Sequence, residues 1–288
     1  MATLLALKSR IKTAKNVSKT TKAMQMISAS KLKKAQEATL SSRPYAQKLT
    51  VLSQNLLSKL EDENLHEYMR KDVGGESNKT LLIVFAPEKG LCGALATNMA
   101  NELSKLSASN KDLMYIVTIG KKIENSIKFL QNTVVASFPL GTTLPQFNMV
   151  FPVLQIIDDY FLNGKVSKVQ ILFPKFTSLF TQSPSIETLL PIEVSKDKQE
   201  ETGSYTVFEP QPQDILPSLL RHYLEILTHQ YLMETYLSEQ ASRMLSMKNA
   251  TDNAAEIIES LQLEYNKSRQ EKITSELLNT EGASLYAY

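Results

Sequence analysis

The stretch YLMETYLSEQASRMLSMKNATDNAAEIIESLQLEY, residues 231–265, decides the fold of this chain. It lies in a longer segment, residues 218–281, that contains neither glycine nor proline. Because these two residue types are the main punctuation of turns, their absence predicts one very long helix. Mostly apolar side chains recur along it with the 3.5-residue period of a coiled coil. The series comprises Leu219, Tyr223, Ile226, Gln230, Met233, Leu237, Gln240, Met244, Met247, Thr251, Ala254, Ile258, Leu261 and Tyr265.

The amino-terminal segment predicts a second long helix. Glycine and proline are absent from residue 1 to residue 43. Its heptad positions are apolar at the ends and small or polar between them, which favours two helices that lie close together. We therefore predict that the two terminal helices pair as an antiparallel coiled coil. The amino-terminal seam consists of Leu4, Ile11, Ser18, Gln25 and Leu32, and of Leu7, Ala14, Thr21, Ser28 and Ala35.

Between the two helices, short β-branched runs alternate with helical patterns. This alternation predicts βαβ units and a mainly parallel sheet, here a small Rossmann-like αβα domain. The predicted fold is thus α/β, with a coiled coil at 1–60 and 212–288 and a globular domain at 77–211. Polar segments at 61–79 and 194–214 predict a linker and a loop. Strands are predicted at 80–86, 114–119, 134–138, 169–173 and 186–192, with helices at 93–106, 121–130 and 147–162.

Composition excludes several classes of protein. The 288 residues include 32 Lys and Arg and 30 Asp and Glu, so the net charge is only +2. Such a balance gives no general case for a nucleic-acid binder. Cys92 is the single cysteine, which excludes an intramolecular disulfide and a multi-cysteine metal site. With no run of about 18 apolar residues and no signal peptide evident, neither a membrane span nor secretion is predicted.

Charge separates the two helices. Residues 1–60 hold 12 basic side chains and one acid, a net of +11, whereas residues 212–288 have a net of −5. Opposite charge favours the pairing, although each exposed pair contributes only about 0.2–1 kcal/mol. One helical face is a lysine stripe, for which three interpretations stay open: a solvated face, a nucleic-acid contact or an acidic protein surface. The lysine stripe consists of Lys8, Lys12, Lys15, Lys19 and Lys22.

Candidate sites in the middle of the chain are weak. The turn after the first strand, PEKGLCGA (residues 87–94), precedes a helix but satisfies neither phosphate-binding glycine pattern. Cys92 is interpreted as a packed thiol, and His222 and His229 are seven residues apart, too far for neighbouring metal ligands on a helix. Asp158 and Asp159 are adjacent, so they do not face each other. We assign no catalytic, cofactor-binding or metal-ligating residue.

Three separated motifs carry a resemblance to a known family. They are KTTKAMQMISASKLKKAQEATLSSRPYA near the amino terminus, EKGLCGALATN in the middle, and SEQASRMLSMKNATDNAAEIIESLQLEYNKSRQEKITSEL near the carboxyl terminus. In this order and spacing the chain closely resembles the gamma subunit of the F-type ATP synthase over nearly its full length. The family's usual Asp-Arg-Gly-Leu-Cys-Gly-Gly reads Glu88 to Ala94 here, and the tip of the last helix carries the polar Thr280 and Glu281.

The resemblance implies a rotor without an active site of its own or a cofactor. In that family the coiled coil lies inside a ring of alpha and beta subunits, and the α/β domain contacts the epsilon subunit and the membrane c ring. Proton flow turns the rod, which forces each catalytic subunit through different conformations. We expect a peripheral location on the cytoplasmic side of a bacterial cell inner membrane, with a mature or organelle-encoded chain as the open alternative, and no nucleic-acid partner.

The resemblance also implies which residues contact the surrounding ring. By their motifs these are Met24, Arg243, Arg269, Gln270 and Thr274. The lysine stripe would face acidic loops of the beta subunits. Two other functions stay open from the residues themselves: a Rossmann-like nucleotide-binding enzyme with helical arms, and a helical hairpin that binds nucleic acid.

Overall fold

The computed structural model describes residues 3–57, 66–69, 79–109, 114–128, 130, 132–192 and 211–285. Two long helices enclose five strands and three shorter helices in the order of the chain. The elements are α1 (Leu4–Leu57), β1 (Thr80–Phe85), α2 (Leu95–Ser109), β2 (Met114–Ile119), α3 (Glu124–Ile127), β3 (Thr133–Phe138), α4 (Val150–Phe161), β4 (Lys168–Phe176), β5 (Gln182–Leu190) and α5 (Pro212–Leu285). Short 3₁₀ helices cover Glu67–Met69, Lys121–Ile123 and Phe147–Met149.

The five strands form one sheet in the order β3-β2-β1-β4-β5. The four strands from β3 to β4 are parallel, and β5 runs antiparallel to β4 at the edge. The central strand β1 is buried from Leu81 to Phe85, so both of its faces are covered. Such a continuous apolar run is typical of a parallel strand between two helix layers.

Alternate side chains of β1 enter two different cores. Leu82 and Val84 pack with Met99 and Leu103 of α2 on one face. On the other face, Leu81, Ile83 and Phe85 belong to a larger cluster that draws on α4 and on parts of both long helices. The sheet therefore lies between helix layers, which confirms the predicted Rossmann-like αβα architecture.

The chain forms two compact units. Residues 1–29 and 244–288 form one, called here the rod unit, and residues 30–243 form the other, the sheet unit. Helix segments 30–57 and 212–243 fall in the sheet unit because side chains such as Leu49, Leu56 and Leu224 join its core. The predicted domain division at residues 60, 77 and 211 stays a prediction.

The terminal helices pack together as an antiparallel coiled coil, as predicted. Thr21 of α1 contacts Thr251 of α5, and Tyr45, later on α1, contacts His222, earlier on α5. In the rod unit the side chains withdrawn from solvent follow the predicted seam: Leu7 is 1% exposed and Ser28 2%, and on α5 Ala254 is 6% and Leu261 8% exposed. Within the rod unit, the predicted seam therefore agrees with the burial of side chains on both helices.

The other predicted elements agree with the structure, with differences at their ends. The helix predicted at 121–130 is shorter, because Lys121–Ile123 is a 3₁₀ turn and α3 ends at Ile127. Strands β4 and β5 are longer than predicted, since they pair with each other as a hairpin. Most of the predicted linker 61–79 and loop 194–214, and the side chains of the polar tip, lie outside the described residues. Among the described helices, none is both long and apolar enough to cross a membrane.

Candidate functional site

The turn between β1 and α2 has an unusual backbone. Leu91 has a φ of 61° and Gly93 a φ of 57°, both in the left-handed region. For a non-glycine residue this conformation costs about 1–2 kcal/mol, so surrounding contacts must hold it. The turn follows the buried strand β1 directly and leads into α2 at Leu95. It thus projects from the carboxyl edge of the sheet.

Helix α5 binds this turn through two consecutive residues. The Arg243 guanidinium donates from Nη2 to the Lys89 carbonyl at 2.8 Å and from Nε to the Gly90 carbonyl at 3.2 Å. The Ser242 hydroxyl donates to the Cys92 carbonyl at 2.6 Å. Three backbone oxygens on the two sides of the strained Leu91 are therefore held by side chains of one helix.

Two carboxylates, of Glu239 and Glu88, complete the contact. Glu239 accepts from Arg243 Nη2 at 2.5 Å through Oε1 and from the Glu88 backbone N–H at 2.8 Å through Oε2. The Glu88 carboxylate in turn accepts from the Leu140 backbone N–H at 2.9 Å and lies 3.8 Å from Lys121 Nζ. The Glu239 side chain is only 3% exposed, so these protein groups rather than water satisfy its oxygens.

The same helix also caps the neighbouring strand β4. Ser238 donates to the Pro174 carbonyl at 2.8 Å, and Glu234 accepts from the Phe176 backbone N–H at 3.1 Å. Burial raises the pKa of the Glu234 carboxyl. We call Glu234, Ser238, Glu239, Ser242 and Arg243 the α5 anchor. These five side chains bind the carboxyl edge of both central strands.

The α5 anchor occupies the position where open α/β sheets bind ligands. The chain leaves β1 toward β2 on one side and enters β4 from the other, so their carboxyl ends form a topological switch point. Here that crevice is filled by Glu239, Ser242 and Arg243. A nucleotide-binding enzyme of the Rossmann kind is therefore not favoured.

Cys92, in the same turn, is a packed thiol as the sequence predicts. Its side chain is 2% exposed. Burial raises the pKa of the Cys92 thiol, which opposes the activated thiolate that a helix start can produce.

A second polar cluster lies elsewhere in the sheet unit and joins three segments of the chain. Asp158 of α4 accepts from Arg221 of α5 and from the Tyr68 hydroxyl, the latter at 2.7 Å. Burial, followed by the hydrogen bond to Asp158, raises the pKa of Tyr68 to about 12. Sequence reasoning missed this cluster because Asp158 and Arg221 are 63 positions apart.

The histidines bind other side chains of the sheet unit. His222 lies 2.7 Å from the Tyr45 hydroxyl through Nε2 and 3.0 Å from Glu225 Oε2 through Nδ1. The His229 ring packs on Phe147, and burial lowers the pKa of its imidazole. Within the described ranges, no group of three or more His, Cys, Asp or Glu side chains has the arrangement of a metal site.

Comparison with known proteins places the chain in a family. A family model described as ATP synthase matches residues 3–283. The ATP synthase gamma chain of Dehalococcoides mccartyi strain BAV1 is 35% identical over 286 residues, covering 99% of either chain. That of Variovorax paradoxus is 37% identical over 284 residues, covering 96% of either chain. The chain belongs to the ATP synthase gamma chain family.

Solved structures share the fold of this gamma chain family member. A chain of the Euglena gracilis mitochondrial ATP synthase, in an assembly of OSCP, F1 and c-ring, aligns with a TM-score of 0.71 at 21% identity. The alignment covers 97% of this chain and 93% of that one. A chain of the central stalk and c-ring structure from Tetrahymena thermophila aligns with a TM-score of 0.59 at 20% identity, over 80% and 98% of the two chains.

The ring-contact residues predicted from the gamma chain motifs fall in two different units. Met24, Arg269, Gln270 and Thr274 lie in the rod unit with exposed side chains. Arg243 lies in the sheet unit, is 9% exposed and belongs to the α5 anchor. The predicted contacts with a ring stay predictions for all five residues.

The lysine stripe is exposed along α1. None of its five side chains forms an ion pair with another residue in the part of the chain that the structure describes. Further along the same helix, Lys33 lies 4.0 Å from Glu37. The stripe's partner thus stays a prediction.

Proposed function

We propose that this chain is the central-stalk rotor of an F-type ATP synthase and transmits torque between the membrane c ring and the alpha/beta ring. The observation that carries the proposal is sequence identity of 35% with an ATP synthase gamma chain across 99% of both chains. A coiled coil at the termini and a folded sheet unit suit this function, because a slim rod can enter a ring while the globular part stays outside it.

The rod acts by binding each ring subunit differently. A ligand shifts a conformational equilibrium only by its differential affinity for the states. The exposed faces of the rod unit are unequal: the lysine stripe lies on α1, while α5 exposes Arg269, Gln270 and Thr274. Rotation of such a rod presents a different face to each catalytic subunit in turn, which is how turning the rod drives the ring through its states.

The chain contributes no active site of its own in this proposal. The α5 anchor supports this, since it fills the crevice in which a Rossmann-like sheet would hold a nucleotide. Titration of the purified chain with ATP in a calorimeter tests the point. We expect no stoichiometric binding, and a tight site on the isolated chain would contradict the proposal.

The proposed partners are the alpha and beta subunits, the epsilon subunit and the c ring, with the complex peripheral on the cytoplasmic face of the cell inner membrane. Co-expression of a tagged chain with alpha and beta subunits, followed by mass spectrometry of the intact complex, tests assembly. A complex that forms and hydrolyses ATP equally well without this chain would overturn the proposed role.

Gln270→Ala tests the predicted ring contacts most cleanly, because Gln270 is exposed and its substitution leaves the seam untouched. We expect normal helix content and a reduced rate of ATP synthesis in reconstituted vesicles. Gln262→Ala, the same change at an exposed position of the same helix, is the matched control. Equal synthesis rates for both variants would remove Gln270 from the set of contacts.

The lysine stripe is proposed to face acidic beta-subunit loops. Replacing Lys8, Lys15 and Lys22 by Gln is expected to lower the affinity of the chain for the ring. The affinity should also fall less steeply with added salt, because fewer charged contacts remain for salt to screen. Unchanged salt dependence of assembly would indicate that the stripe is a solvated face.

A further inference from the structure

Helix α5 is continuous across the boundary between the two units, and the α5 anchor lies at that boundary. The sheet unit ends at Arg243 and the rod unit resumes at Met244, inside one uninterrupted helix. Ser242 and Arg243 are therefore the last residues of α5 assigned to the sheet unit. A helix that carries a load is held most effectively at the point where it leaves its support.

The contacts at this point are of the strong kind. Glu239 and Arg243 form a charged pair with side chains 3% and 11% exposed, and each also binds backbone of the β1–α2 turn. Charge-assisted hydrogen bonds are about twice as strong as neutral ones. Because the partner atoms belong to the backbone next to β1, they move only if the turn or the sheet edge moves.

The turn itself is held on its other side by Glu88. Its carboxylate accepts from the Leu140 backbone N–H at 2.9 Å, which ties the turn to the segment after β3. Lys121, after β2, lies 3.8 Å from the same carboxylate. Glu88 thus connects the ends of three adjacent parallel strands, while its own backbone N–H binds Glu239.

We propose that Glu88 and Glu239 are positioning residues for torque transfer, which lock helix α5 to the carboxyl edge of the sheet at the helix turn where the rod begins. This rests on the proposed function as a rotor. We call the contacts made by Glu88, Glu239, Ser242 and Arg243 the joint. Within it, Ser242 and Arg243 hold the left-handed turn around Leu91. A load on the rod then passes to three strands through the joint, in addition to the covalent helix.

Glu239→Gln is the variant that removes one hydrogen-bonded contact of the joint. A carboxylate offers acceptors on both oxygens, whereas an amide has one acceptor oxygen and one donor nitrogen. Glutamine can therefore keep only one of the two contacts. We expect its oxygen to keep the contact with the charged Arg243, since hydrogen bonds to ionised donors are the stronger ones, so the Glu88 N–H loses its acceptor. Glu259→Gln is the matched control, because it makes the same chemical change at an exposed position of the same helix.

Hydrogen exchange of the full chain measures the joint directly. In Glu239→Gln we expect the backbone amide of Glu88 to exchange about tenfold to a hundredfold faster, the factor that matches a lost hydrogen bond to a charged group. The amides of Leu81 to Val84, inside the sheet, should exchange as in the unsubstituted chain. An unchanged Glu88 rate would overturn the proposal.

The mechanical consequence is measured in the assembled complex. With the stator fixed and a probe attached to the sheet unit, we expect the angular variance of Glu239→Gln to rise about twofold or more, because a charged contact of the joint is lost. The rate of ATP hydrolysis is measured alongside, because Glu239 binds Arg243, which is one of the predicted ring contacts. Equal variance in the variant and in Glu259→Gln would contradict the proposal.

Failure of the joint and failure of the rotor function are distinguishable. If the unsubstituted chain neither assembles with the ring nor rotates, the proposed function is wrong, whatever the variant does. If Glu239→Gln does not fold, Ser242→Ala serves instead, since it removes only the hydroxyl that donates to the Cys92 carbonyl. That variant should show a smaller rise in angular variance, and no rise would overturn the proposal.

Discussion

Helix α5 lies in two very different environments along its length. From Tyr231 to Arg243, in the sheet unit, every residue except Glu234 is buried. From Lys248 to Tyr265, in the rod unit, only Ala254 and Leu261 are buried. One helix is therefore a core element in the first segment and one half of a two-helix rod in the second.

The difference shows where the stability of the chain lies. The sheet unit buries large side chains such as Phe85, Phe173 and Tyr236 at 2% exposure or less. The seam of the rod unit contains small or polar residues, among them Ser28, Thr21 and Gln25, which remove little apolar surface from water. A rod built this way stays slim, and most of the stabilisation from burial falls to the sheet unit.

A cavity in the sheet unit should produce the largest effect. Phe85 is completely buried between β1 and the long helices, with its ring near that of Tyr231. Phe85→Ala is expected to lower the free energy of unfolding by about 3–5 kcal/mol, measured by urea denaturation. Val134→Ala, on the exposed side of the edge strand β3, is the control and should cost far less. A similar loss for the two variants would refute the contrast in burial.

A helix break in the rod unit should have a local effect. Ile258→Pro removes a backbone hydrogen bond and introduces a steric clash, at about 3 kcal/mol or more. We expect a loss of far-ultraviolet helical signal without a change in the hydrogen exchange of β1 amides. Ile258→Ala separates the loss of the side chain from the break. Full helical signal and an unchanged melting temperature in the proline variant would contradict the helix assignment.

The sequence determined the coiled coil and the strands well because both rest on local periodicity. The predicted seam on α1, from Leu4 to Ser28, coincides with the least exposed positions of that helix in the rod unit. The strand at Met114–Ile119 has the predicted bounds. Gln230 is an exception, since it fits the heptad series but is exposed. In that part of the chain α5 packs against the sheet, so the seam of a two-helix coiled coil does not decide which side chains are buried.

The α5 anchor was beyond prediction because its contacts are long range. Glu239 and Glu88 are 151 positions apart, and only the fold brings them together. The sequence does show that Glu239 and Arg243 are four residues apart, and side chains at that spacing lie on one face of a helix. That spacing indicates a pair but not its burial, nor the backbone carbonyls that the guanidinium binds.

Alkaline pH should weaken the sheet unit through Tyr68. Its pKa is raised to about 12 in the folded chain, from 10.0 when unfolded, mainly by burial. The stabilising contribution is therefore complete below pH 10 and is lost as pH rises toward 12. Between pH 9 and pH 11 we expect a loss of about 1 kcal/mol from this group. Urea denaturation across that range measures it.

Tyr68→Phe is the comparison that isolates this effect. The variant loses the hydrogen bond to Asp158, so it should be less stable at pH 9, but its stability should fall less steeply above pH 10. Tyr231, whose pKa is also raised by burial, contributes the alkaline loss that the variant retains. An identical slope in the variant and the unsubstituted chain would show that Tyr68 does not titrate as proposed.

The smallest effect, and the one of opposite sign, is expected in the seam of the rod unit. The Oε1 atom of Gln25 is buried without a hydrogen-bond partner among the described residues. A buried polar atom left unsatisfied costs about 1–3 kcal/mol, so Gln25→Leu should stabilise the rod unit by about 1 kcal/mol. The Thr21–Thr251 hydrogen bond, at 2.8 Å, is unchanged and keeps the register of the two helices. Slower exchange of amides in residues 14–29 measures the gain, with Gln262→Leu at an exposed position as the control. Faster exchange in Gln25→Leu would mean that the polar seam, and not only its slimness, stabilises the rod.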